Sequence, residues 1–79
     1  MKKLKLVWEF SGIDALEIAK HHLLHMQQYL KRENIDPLQI DTELISEFSA
    51  ISFVIIYDQF LDKIRSDLKP NQGFLVDVD

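Results

Sequence analysis

Three histidines fall within five residues, His21-His22-Leu23-Leu24-His25, and the chain has no others. Imidazole is the side chain that both ligates metals and exchanges protons near neutral pH. His21 and His25 stand four apart, so on a helix they project from one face, with Glu17 one turn earlier on the same stripe. A ladder of Glu17, His21 and His25 offers three ligands to Zn²⁺ or another borderline divalent ion. His22 points about 100° away from His21 and does not reach the same ion. The motif is not the H-E-x-x-H of zinc proteases, because a histidine occupies position 22, and no downstream His or Cys completes a shell. The plain alternative is a solvated pair of imidazoles. A third role follows from Ile18, His22, His25 and Tyr29, spaced four, three and four like a helix–helix seam. A partner covering that seam would desolvate the imidazoles, and acid would weaken the association.

Little else in the chain is equipped for chemistry. The absence of cysteine excludes a disulfide framework and thiolate zinc sites. There is no glycine-rich phosphate loop and no recognisable nucleophile–base pair, so no catalytic residue is expected. Ser11-Gly12 ahead of a helix resembles an anion site, but Asp14 and Glu17 in the first turns repel anions. Glu43 and Glu47 read as edge charges that discourage strand pairing. Asp77 and Asp79 read as a solvated end, and Trp8 reads as core. The expected cofactor is therefore none, with zinc at Glu17, His21 and His25 as the one exception.

The elements that would position these residues are legible from periodicity. Leu4, Leu6, Trp8 and Phe10 alternate with Lys3, Lys5, Val7 and Glu9, the period of a strand with one buried face. Ser11 is placed to cap the following helix, with Asp14 reaching back, and the helix runs to about Arg32 or Glu33, where Asn34 and Pro37 stop it. Leu16, Ala19, Leu23, Met26 and Leu30 share its inner face. Residues 42–48 and 51–57 read as two strands joined at Ser49-Ala50; the competing reading of the first is a short helix capped by Asp41. Asp58 is placed to cap a second helix that presents Phe60, Leu61, Ile64 and Leu68 on one face and ends at Pro70. Phe74, Val76 and Val78 alternate with Leu75, Asp77 and Asp79 as a last strand.

Seventy-nine residues make one domain, residues 1–79, and a chain of this size gains buried surface by associating with itself. An apolar content of 47% argues against disorder. The net charge of −4 disfavours nucleic acid as a partner. No apolar stretch approaches the ~18 residues that span a bilayer, and Glu9 with Ser11-Gly12 interrupts any secretory signal. A soluble, cytoplasmic protein with no membrane partner is the expectation.

The element order β-α-β-β-α-β resembles the ferredoxin-like split-βαβ arrangement over nearly the whole chain. That resemblance implies an α+β sandwich, a four-stranded antiparallel sheet with two helices on one face. The helix-facing set would then be Leu4, Leu6, Trp8, Phe10, Leu44, Phe48, Ile51, Phe53, Ile55, Phe74 and Val76. The open face would carry Val7, Ile45, Val54, Ile56 and Leu75 among Lys5, Glu9, Glu47, Ser52 and Asp77, an apolar surface large enough to call for a partner. A homodimer through these five residues is the expected assembly. The function expected is therefore a non-catalytic, oligomeric binding or interaction module. One alternative is a small cofactor-free enzyme resembling the dimeric α+β-barrel isomerases and oxygenases. The other is a metal-binding protein built on the Glu17/His21/His25 stripe.

Overall fold

A computed structural model describes residues 2–76. Strand β1 (Lys3–Ser11) leads through Gly12, at φ +114°, into helix α1 (Ala15–Arg32). Strands β2 (Gln39–Ser46) and β3 (Ser49–Tyr57) form a hairpin. A 3-10 turn (Asp58–Phe60) then precedes helix α2 (Leu61–Leu68) and strand β4 (Gln72–Val76). The sheet has the order β2-β3-β1-β4, and each neighbouring pair is antiparallel. Residues 42–46 are thus strand and not helix. The continuation of the last strand to Val78, with Asp77 and Asp79, lies outside the described residues.

The helix ends obey local chemistry that differs at several points from the expected caps. Ser11 still belongs to β1, Asp14 occupies the N-cap of α1, and neither Asp14 nor the residues preceding α2 make a side-chain capping bond. Asp58 opens the 3-10 turn instead of capping a helix. The C-terminus of α1 closes as a Schellman motif. Asn34 takes the left-handed conformation at φ 59°, Ile35 N–H donates to the Leu30 carbonyl at 2.9 Å, and Asn34 N–H donates to that of Lys31 at 3.3 Å. Asparagine tolerates that conformation better than most residues, and Ile35 follows it into the core.

The β2–β3 turn is Glu47-Phe48, one dipeptide earlier than expected, with Ser46 paired to Ser49. Neither turn residue has a positive φ, so the turn cannot be the type I′ that matches strand twist directly. A register irregularity between Leu44 and Ser46 absorbs the mismatch.

One core holds both helices to the same side of the sheet. Met26, Tyr29 and Leu30 of α1, Ile64 of α2 and Ile35 join Leu6, Trp8, Val54 and Ile56. A second cluster packs Ala15 and Ala19 against Ala50, where the small side chains bring α1 close to β3. Two bonds fasten α2. The Trp8 indole N–H donates to the Leu68 carbonyl at 2.7 Å, and the Tyr29 hydroxyl donates to the Asp67 carboxylate. Burial of the Tyr29 hydroxyl, together with the bond to Asp67, pushes its pKa up to about 12. Lys63 bridges Glu33 and Asp67 across the helix ends.

The register corrects the expected faces of β3 and β4. Leu6 pairs with Val54, Leu4 with Ile56 and with Leu75, and cross-strand partners share a face. Val54 and Ile56, expected on the open face, are therefore in the core with Ser52, all three at 0% exposure. Leu75 also turns to the helix side. Ile51, Phe53, Ile55, Phe74 and Val76, expected under the helices, occupy the open face instead. The reason is that β3 is apolar at both alternations, so hydrophobicity does not set its phase. Size sets it: the side carrying Ala50, Ser52 and Val54 is the one α1 can approach.

Truncation separates the two faces. Measured on the dissociated single chain, Ile56→Ala is expected to lower the unfolding free energy by about 2–5 kcal/mol, and Ile45→Ala by less than about 0.5 kcal/mol. Urea denaturation of the two variants checks this, and equal losses would contradict the assigned register.

Candidate functional site

The open face of the sheet is built from rows set by strand pairing. One row holds Gln39, Ile55, Lys5 and Phe74. The next holds Asp41, Phe53, Val7 and Gln72, and a third holds Glu43, Ile51 and Glu9. Apolar side chains thus run down β3 through the middle of the face. Lysines lie toward one end of it, at Lys3 and Lys5, and carboxylates toward the other, at Glu9 and Glu43. Within one copy, Phe53 is 7% exposed and Val7 only 4%. The Lys5 ammonium lies 4.3 Å from the Phe53 ring centre, a cation–π contact in which the lysine stem also shelters the ring. Gln72 donates to the Glu9 carboxylate at 3.0 Å.

Of the five residues expected to form an interface, Val7 and Ile45 are on this face. They line a concavity of about 470 Å³ together with Ile51, Phe74, Lys5 and Glu9. Periodicity missed Ile51, Phe53, Ile55 and Phe74 because the phase of β3 and β4 was inverted. The signal that could have found them was the run of small residues at positions 50 and 52, alternate positions of one strand.

The histidines separate into two environments. His21 and His25 do come together on the outer side of α1, with rings stacked 4.7 Å apart between centroids. Glu17 does not complete a ligand set with them. Among the described residues no group of three or more His, Cys, Asp or Glu is arranged to hold a metal ion, whereas a structural zinc takes four ligands. Ile18 and His25 are exposed while Tyr29 is buried, so the expected seam through Ile18, His22, His25 and Tyr29 does not lie on one surface.

His22 turns inward. Its ring lies 5.1 Å from that of Trp8 and 5.3 Å from that of Phe10, and Nδ1 shares a 2.7 Å hydrogen bond with Ser52 Oγ. A serine hydroxyl against an imidazole has the outline of a nucleophile–base pair. Ser52, however, is fully enclosed between helix and sheet, where no substrate reaches it. The pair satisfies a buried hydroxyl: among the described residues no buried side-chain N or O lacks a partner. The sequence signal for this contact is the spacing Ala19, His22, Met26, which places His22 on the buried stripe of α1. Burial, and then the nearby His25, holds the His22 imidazole below the ordinary histidine value.

No family model, no curated protein and no solved structure matches the chain. Among the described residues no helix is long and apolar enough to cross a membrane.

The His22 environment has a consequence for stability. In the unfolded chain the imidazole titrates near 6.5, and in the folded chain lower. Between the two, the unfolded state binds more protons. The stability contributed by neutral His22 is fully present above about pH 6.5 and is lost as pH falls through the lowered value. His22→Gln keeps a hydrogen-bonding group opposite Ser52 but does not titrate. Urea unfolding between pH 7.5 and 5, in buffer containing EDTA, should show a shallower loss in this variant than in the parent chain. Identical pH profiles would assign no such role to His22.

Proposed function

We propose that this chain is a non-catalytic module that associates with a second copy of itself through the open sheet face. The observation that carries this reading is the apolar run Ile51, Phe53 and Ile55 along β3, on a face that neither helix covers and that Val7, Ile45 and Phe74 extend. Beneath it we read the fold as ferredoxin-like. The element order and the sheet order β2-β3-β1-β4 support that reading.

The face is self-complementary. A two-fold axis crossing the strands at the level of Val7 and Phe53 reverses the rows. It sets Lys5 over Glu9 of the second copy, Ile55 over Ile51, and Phe53 near its own counterpart. Two sheets packed in this way bury both inner faces with their strands nearly aligned. The strands have nine, eight, nine and five residues, at about 3.4 Å per residue and about 4.8 Å apart. That is about 500 Å² of flat area a side, against the ~800 Å² of accessible surface that each partner gives to a standard interface.

A second reading shares this geometry. In the dimeric α+β-barrel isomerases and cofactor-free oxygenases that the layout resembles, two sheets enclose an apolar pocket. The concavity beside Val7, with Glu9 as its acid–base group, supports such a role. The module reading is preferred because Glu9 already accepts from Gln72 and is matched in charge by Lys5 across the axis. The readings part on whether a dimer keeps a pocket, which stoichiometric uptake of the dye ANS by the dimer would reveal.

Sedimentation equilibrium tests the association. The parent chain is expected to dimerise, and Ile45→Asp/Phe74→Asp, at two side chains exposed in the single copy, should weaken dimerisation at least about tenfold. Lys5→Glu and Glu9→Lys should each weaken it, and the double variant should restore it. A parent chain that stays monomeric at tens of micromolar would end the proposal, as would charge reversals without effect.

A further inference from the structure

We propose that the end of the molecule formed by the β1–α1 loop and the β2–β3 turn docks a cationic amphipathic polypeptide segment. Ile13, Leu44 and Phe48 would be its apolar contacts and the surrounding carboxylates its charge complement. Its apolar contacts lie off the open sheet face, which it borders at Glu43.

The two connections are tied together. Gly12 N–H donates to the Phe48 carbonyl at 2.8 Å, so Ile13 and the turn occupy the same end, and Leu44, paired with Ala50, leads into that turn. All three apolar side chains are presented outward: Ile13 is 84% exposed, Leu44 56% and Phe48 54%. Single exposed aliphatics are ordinary on protein surfaces. Here an isoleucine, a leucine and a phenylalanine lie on two backbone segments joined by a hydrogen bond, and together they form the apolar part of the proposed contact surface.

The charges around them have one sign. Asp14 and Glu17 stand at the start of α1, and Glu43 and Glu47 on β2 and its turn. No Lys or Arg occurs from Glu9 to Ala19 or from Glu33 to Asp62, and the first cation along α1 is Lys20. The ion pairs among the described residues join Arg32, Glu33, Asp62, Lys63, Arg65 and Asp67, so none of them neutralises this end. An apolar centre inside an acidic rim repels polyanions and anionic lipid surfaces. It complements a segment whose apolar anchors are flanked by Lys or Arg, the pattern of an amphipathic helix laid on a hydrophobic surface.

The probe is a fluorescein-labelled synthetic helix with Leu at positions i, i+3, i+4 and i+7 and Lys elsewhere, titrated by fluorescence anisotropy in 0.15 M salt. The parent chain should bind it, and the same peptide with Glu in place of Lys should not bind. Ile13→Ser/Phe48→Ser, which leaves the net charge unchanged, should weaken binding at least tenfold, and Glu43→Gln/Glu47→Gln at least threefold. Both alter exposed side chains, and far-ultraviolet circular dichroism confirms that they stay folded. Ile45→Asp/Phe74→Asp, on the open face, should bind the peptide at least as tightly as the parent. The proposal is overturned if the parent does not bind, or if Ile13→Ser/Phe48→Ser binds equally well, which would mean bulk charge attraction. Loss of dimerisation in Ile13→Ser/Phe48→Ser would overturn it as well, by making this end a contact between copies.

Discussion

How closely α1 can approach the sheet depends on one side of β3. Ala50 meets Ala15 and Ala19, Ser52 meets His22, and Val54 and Ile56 complete the core with Met26, Leu30 and Ile64. Large side chains at positions 50 and 52 would lift the N-terminal half of the helix and open gaps that a close-packed interior does not tolerate. Because a strand alternates, this requirement also decides what happens on the other side. Ile51, Phe53 and Ile55 must turn outward. The enclosed His22–Ser52 pair and the apolar open face are two results of the same phase.

That phase is where reading the sequence reached its limit. Leu4, Leu6, Trp8 and Phe10 were legible because their alternate positions are Lys3, Lys5 and Glu9, a contrast that only one register satisfies. The inner stripe of α1 was legible for the same reason. In β3 both alternations are apolar, and the deciding feature is a difference of volume between alanine or serine and isoleucine or phenylalanine. Polarity patterns do not weigh that difference. β4 inherits its phase from pairing with β1, which no local pattern encodes. The caps expected from Ser11 and Asp58 failed because both residues belong to neighbouring elements, where sheet pairing and a 3-10 turn override local capping preference.

The histidine cluster shows the same division. Spacing alone correctly brought His21 and His25 together, since four residues on a helix leave little freedom. It could not show that His22 faces the sheet, because the orientation of α1 about its axis follows from the alanine contacts with β3. Once that rotation is set, His22 is the half-buried residue that packs against Trp8, Phe10 and Ser52. Among the described residues no third His, Cys, Asp or Glu joins the stacked pair on the outside.

We propose that the outward side of β3 meets a second copy of itself about an axis near Val7 and Phe53. Isotope-filtered nuclear Overhauser spectroscopy on a mixture of ¹³C-labelled and unlabelled chains tests it directly. Contacts between Ile55 of one copy and Ile51 of the other, with Phe53 near its own counterpart, are the predicted result. Intermolecular contacts confined to α1 or to the sheet edges, or none at millimolar concentration, would contradict it.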